Sequence, residues 1–235
     1  MASRSPFLKG RFTLLAILLA GILALARWKG WIPPEGDGNP VITTEKSQPR
    51  RPSASPQFPP SEAAIPETRQ IAGWEELHGC TLAENRSNDG DSFDVLHDGK
   101  QHTLRLYFVD CPEKYRHLHN GPRIAEQGGY FGGLNEEETI SLGETARDFS
   151  LNLMRTRAFT VLTKWEPVFD STRRYAFVKV PQGDLGELLV QEGLARIHTK
   201  GADRPKGAST AAQKKRLKAL ENAARSASKG AWGLR

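Results

Sequence analysis

Asp89-Gly90-Asp91-Ser92-Phe93 and, twelve residues on, Arg105-Leu106-Tyr107-Phe108-Val109-Asp110-Cys111-Pro112-Glu113 decide how this chain folds. The first stretch reads as a turn entering a strand, Ser92 to Leu96. The second reads as a strand, His102 to Val109, with its exit. Asp98-Gly99 between them suits a two-residue type I′ hairpin turn, whose two central residues need positive φ. A further strand, Cys80 to Arg86, precedes the Asn88-Asp89-Gly90 turn. In such a three-strand meander, the start of the second strand and the end of the third lie at one end of the sheet. Asp91 and Asp110 therefore converge, while the Asp98-Gly99 turn lies at the other end.

Two converging carboxylates are a place for a hard cation. Calcium takes six to eight oxygen ligands, many of them water. Neither histidine nor cysteine clusters here at zinc spacing. An EF-hand is excluded, because Asp94 stands at the sixth position of an Asp89-started loop and Lys100 at the twelfth. Glu113, three residues past Asp110, sits at the rim, where it could accept a proton from water. Arg105 lies an odd number of positions before Asp110, on the opposite face of a regular strand, unless a bulge re-aims it. Taken singly, Asp89-Gly90-Asp91 is a common polar turn and Asp110-Cys111-Pro112-Glu113 an ordinary strand ending. Their combination carries the argument.

Beyond the meander, Ala158 to Thr163 and Ala176 to Val180 are strand candidates. Leu142, Ala146, Phe149 and Leu153 recur at helical spacing. A second helix is expected over Leu185 to Ile197. A third is expected from Thr210 to Ser228, with a Thr210/Gln213 capping box and Gly230 beyond its end. The order of three strands, helix, two strands, helix, helix gives the expected class: mainly β with helices (α+β), a five-stranded Greek-key OB-fold barrel with three α-helices. Residues 114–141, rich in glycine, read as a long loop leaving the site, and loops of that length are functional or disordered.

From about Cys80 to Trp232 the chain resembles the staphylococcal nuclease (thermonuclease) family. That family usually reads Asp-Gly-Asp-Thr where this chain has Asp89-Gly90-Asp91-Ser92. It reads Arg-Leu-x-x-Ile/Val-Asp-Thr/Ala-Pro-Glu where this chain has Arg105 to Glu113. Arg173-Arg174-Tyr175-Ala176-Phe177-Val178, Gly186 to Ala195, and Lys229-Gly230-Ala231-Trp232-Gly233 resemble its later segments. The resemblance implies that Asp91, Asp110 and the backbone carbonyl of Cys111 bind Ca2+. It implies that Glu113 is the general base or orients the attacking water, and that Arg105 and Arg173 bind the phosphate. Guanidinium groups suit that task better than ammonium. The implied reaction is hydrolysis of DNA or RNA phosphodiesters to 3′-phosphate ends. Thr172 stands where a glycine usually precedes the second arginine, so Arg174 remains an alternative to Arg173. The aromatics usual after Gly-Leu-Ala are replaced by Ile197-His198-Thr199.

The 235 residues carry a net charge of +6 and a pI near 9.4, which favours an anionic partner without choosing nucleic acid over lipid. The excess is local: from Lys200 to Arg235 ten Lys/Arg face only Asp203 and Glu221. Lys214, Lys215, Arg216 and Lys218 on the third helix are a solvated face or a nucleic-acid-binding patch, and phosphate contacts would make binding salt-dependent. Two cysteines, Cys80 and Cys111, form no disulfide framework, and the meander sets them too far apart to bridge.

At the N-terminus, Arg4, Lys9 and Arg11 precede an uncharged run from Phe12 to Ala26. Residues 1–31 therefore read as a signal peptide, with Ala24-Leu25-Ala26 as cleavage site, or as an uncleaved membrane anchor. Either exports the rest, as a secreted, periplasmic or membrane-anchored protein. Residues 32–70 hold nine of the fifteen prolines and read as a disordered linker, leaving 71–235 as the folded domain of a monomer. Two rivals to a nuclease remain: a non-catalytic nucleic-acid or protein binding module on the same fold, and a membrane-tethered structural protein whose proline segment is the active part.

Overall fold

The structure, a computed structural model, describes residues 67–234. The expectations for the targeting segment and most of the linker lie outside these residues. The last linker positions do not: β1 (Glu67–Ile71) pairs antiparallel with β2 (Trp74–Leu82) across Ala72 and Gly73, both at positive φ. Residues 67–70 thus belong to a strand, and the first meander strand is Trp74–Leu82 rather than Cys80 to Arg86. After Leu82 the Asn88 side chain displaces the ladder. Its amide donates to the Ala83 carbonyl at 2.8 Å and its oxygen accepts from the Asp94 N–H at 2.9 Å, so residues 83–91 form a braced loop.

β3 (Ser92–His97) and β4 (Lys100–Leu106) make the expected hairpin, with Asp98 and Gly99 at φ +47° and +68°. β6 (Phe159–Pro167) and β7 (Arg174–Val180) complete the barrel. The strand order is β2-β3-β4-β7-β6, and β6 returns to β2. Only β4 with β7 runs parallel among these pairs. This is a closed five-stranded mixed barrel, the OB-fold, filled by Phe93, Val95, Leu104, Leu106, Val161 and Val178. Each such side chain contributes about 1.5–3 kcal/mol on burial.

Among the described residues four helices accompany the barrel, one more than the sequence suggests. α1 (Gly121–Tyr130) and the start of α2 (Glu136–Thr156) occupy the segment read as loop. Pro122 opens α1, where its missing N–H costs nothing. Asn135 and Glu138 form a reciprocal capping box on α2, and Glu136, Glu137 and Glu138 complement its N-terminal dipole. α3 (Leu185–Gln191) stops six residues earlier than expected, because Gly193 turns the chain at φ +69° and Arg196–Ile197 continue as β9, paired with β5 (Val109–Asp110). A short β8 (Gly183–Asp184) pairs with β7. α4 (Thr210–Ser226) is capped by Ser209, which accepts from the Ala212 N–H, rather than by Thr210. Its C-terminus leads to a 3-10 turn, Gly230–Gly233. Cys80 and Cys111 are both free and buried.

Candidate active site

α2 presses directly on the turn that starts β3. A Cβ at Gly90 would stand 2.8 Å from Cys111 Sγ and 3.1 Å from Ala146 Cβ, so only glycine fits, and Ser150 Oγ donates to the Gly90 carbonyl at 2.6 Å. This close packing sets Asp91 against the backbone of Cys111, whose N–H donates to Asp91 Oδ2 at 2.5 Å. Asp91 and Asp110 are brought together as hairpin topology requires, and both are buried.

Arg105 joins them, against the simple strand period. β4 ends at Leu106, the Tyr107 N–H turns to the Ala176 carbonyl, and Phe108 takes φ +69°. This break reverses the alternation, so Asp110 on β5 returns to the face of Arg105. Arg105 Nη1 lies 3.0 Å from Asp91 Oδ1, and Nη2 donates to Asp110 Oδ1. One guanidinium thus spans both carboxylates.

Two arginines outside the expected set complete the centre. Arg123 on α1 donates from Nε to Glu113 Oε1 at 2.5 Å and from Nη2 to Asp110 Oδ1 at 2.6 Å. Arg196 on β9 donates to Asp110 Oδ2 at 2.7 Å and to Glu126 at 2.9 Å. Gln127, one turn after Arg123 and buried, donates to Asp110 Oδ2 and the Cys111 carbonyl and accepts the Glu113 N–H. Burial works against the Asp110 charge, but Arg105, Arg123 and Arg196 outweigh it and hold its pKa down at about 2. Asp91 goes the other way: burial, with repulsion from Asp110 and Asp89, pushes it up to about 7 despite Arg105. Burial also raises Asp89.

These groups line or floor a cleft of about 860 Å³. Arg105, Asp110, Glu113, Arg123 and Arg173 border it, and Asp91 lies beneath. Of the two candidate arginines at the start of β7, Arg173 faces the cleft, whereas Arg174 turns its Nη1 onto the carbonyls of Ser171, Thr172 and Arg173. The basic patch on α4 divides. Lys214 and Lys218 border a second hollow of about 360 Å³ that shares His198 and Thr199 with the main cleft, although Lys218 also pairs with Glu221, while Arg216 pairs with Glu187 at 2.6 Å and borders neither. Lys215 is exposed and borders neither.

Among families of known proteins, the staphylococcal nuclease homologues match residues 103–233, more than half of the chain. The chain belongs to the staphylococcal nuclease family. No curated protein matches it. The family match begins within β4, so Arg105, Asp110, Glu113 and Arg173 fall inside it, while Asp89 and Asp91 precede it and are tied to it by the β3–β4 register.

Within this nuclease-family domain, Arg123, Gln127 and Arg196 are the residues that sequence reasoning missed. Arg196 carried a signal, since it is a charge set among Leu194, Ala195 and Ile197, where a buried partner was to be expected. Arg123 and Gln127 carry none, because the glycines around them suggest a loop rather than a helix face.

Proposed function

We propose that this staphylococcal nuclease homologue is a calcium-dependent nuclease that hydrolyses DNA or RNA phosphodiesters, leaving 3′-phosphate ends. The observation that carries this reading is the Arg105 guanidinium spanning Asp91 and Asp110 beneath a cleft bordered by Glu113 and Arg173.

The donor set fits a hard cation. It is built of oxygens, and a cation would offset the burial that chiefly raises Asp91 and Asp89, and with it the repulsion among the carboxylates. Among the described residues no group of three or more His, Cys, Asp or Glu is placed to hold a metal. With two carboxylates only, Asp91, Asp110 and the Cys111 carbonyl would hold Ca2+ with water filling the other positions. When bound, the ion adds positive charge beside the scissile phosphate. Glu113, at the rim, takes the proton of the attacking water. Arg173 and Arg105 oppose the charge that grows on the phosphate oxygens. Lys214 and Lys218 extend the basic track along which a strand lies, and Phe169, 87% exposed at the cleft edge, offers a face for a base. The N-terminal segment delivers a monomeric enzyme across the membrane, secreted, periplasmic or anchored.

A binding module on the same fold is the second reading. One observation favours it: both oxygens of Asp91 and of Asp110 already accept from guanidinium, amide or backbone donors. Glu113→Gln separates the two. The nuclease reading expects turnover to fall about 10²–10⁴-fold while oligonucleotide binding persists. A binder shows no turnover to lose.

A further inference from the structure

The helix α1 lies outside every motif from which the site was read, yet it puts a third guanidinium into the cleft. Arg123 uses Nε on Glu113 and Nη2 on Asp110. A guanidinium has five N–H donors, so three have no protein partner among the described residues. Nη1 is among the free groups, and the side chain is 39% exposed and borders the cleft. Arg105 is placed differently. It is 11% exposed, with both terminal nitrogens held by Asp91 and Asp110. The arginine of the signature motif is thus mostly buried with both terminal nitrogens against carboxylates, whereas the one from α1 presents an unpartnered Nη1 at the more exposed cleft border.

The fork geometry matters here. Arg123 can keep its Nε–Nη2 edge on Glu113 and Asp110 while its Nη1–Nη2 end takes two oxygens of a phosphate, the bidentate pairing for which guanidinium is suited. Gln127, four residues on, fixes the same stretch of backbone through the Glu113 N–H and the Cys111 carbonyl. Both side chains leave one face of α1.

We infer that Arg123 is a catalytic residue that binds the substrate phosphate directly, with its other edge orienting Glu113. This rests on the reading of the cleft as a phosphodiester site. The test is binding of a short single-stranded oligonucleotide to the full chain, in chelator, over a series of salt concentrations. Wild type is compared with Arg123→Ala and Arg123→Lys. A lost phosphate contact weakens binding about tenfold and flattens the slope of log K against log salt by about 0.7, whereas Arg123→Lys keeps the slope. Weaker binding with an unchanged slope in Arg123→Ala would overturn the inference and leave Arg123 as a clamp on Glu113. Should Arg123→Ala fail to fold, Arg123→Gln carries the same comparison. If wild type binds with the expected Arg123 dependence but does not cleave with calcium, the nuclease reading falls and the phosphate contact stands. If wild type does not bind at all, both fall.

Discussion

Gly143 of α2 lies directly against the backbone of Glu113. A Cβ placed on it would collide with the Glu113 carbonyl and stand 2.6 Å from the carbonyl oxygen of Pro112. The long helix therefore sets the height of the proposed base above the cleft floor. Gly143→Ala is expected to push the 112–113 turn outward, cost about 1–3 kcal/mol of stability through overpacking, and lower kcat more than it raises KM. Thermal melting beside steady-state cleavage checks this. An unchanged kcat in a folded Gly143→Ala variant would show that Glu113 does not depend on α2.

Buried acids give the domain a pH signature. In the unfolded chain the Asp91 carboxyl titrates near 4, but in the fold it is pushed up to about 7. Between those values the native state holds a proton that the unfolded state has lost, so stability falls as pH rises through the window. Asp110, held down at about 2, acts oppositely: its contribution is present above about 4 and is lost as pH falls toward 2. In chelator, the melting temperature of wild type is expected to decline from about pH 5 to pH 7.5, and Asp91→Asn to remove most of that decline. Identical profiles for the two proteins would contradict the placement of Asp91.

Arg196 is a buried charge with a buried partner, 2% exposed against 1% for Asp110. Its removal leaves Asp110 with one cation fewer in a water-poor site. Arg196→Ala is expected to destabilise the domain by about 3–5 kcal/mol, read by urea denaturation. A loss under about 1 kcal/mol, the range of a surface pair, would mean that Arg196 is not buried as described.

The meander was legible because its signals are local: Asp98-Gly99 can make only a few turns, and hairpin topology then brings Asp91 to Asp110 without further information. Arg105 was not legible from periodicity, because the break at Tyr107–Phe108 is enforced by partners remote in sequence, Ala176 and Lys200. The segment 114–141 misled through its glycines. Gly128 sits in α1 because a Cβ there would stand 2.7 Å from Thr139 Oγ1, a packing demand and not a helix-breaking one. The extent of α3 was overread for the opposite reason, since the apolar period runs on into β9 after Gly193 has already turned the chain.

Lys214, Lys215, Arg216 and Lys218 of α4 are expected to separate in solution as they do in the fold. Lys214→Ala and Lys218→Ala should each weaken oligonucleotide binding and reduce its salt dependence, because both border the hollow that continues the cleft. Lys215→Ala and Arg216→Ala should leave the salt slope close to that of wild type. Equal effects from all four would indicate a diffuse charged face instead of a track.

The central claim is that Asp91 and Asp110 hold calcium for phosphodiester hydrolysis in this cleft. The most direct measurement is the rate at which the purified full chain cleaves single-stranded DNA, with calcium and with a chelator. The account predicts cleavage that requires calcium and yields 3′-phosphate ends. Cleavage undiminished by the chelator, or no cleavage of DNA or RNA by the folded protein with calcium present, would contradict it.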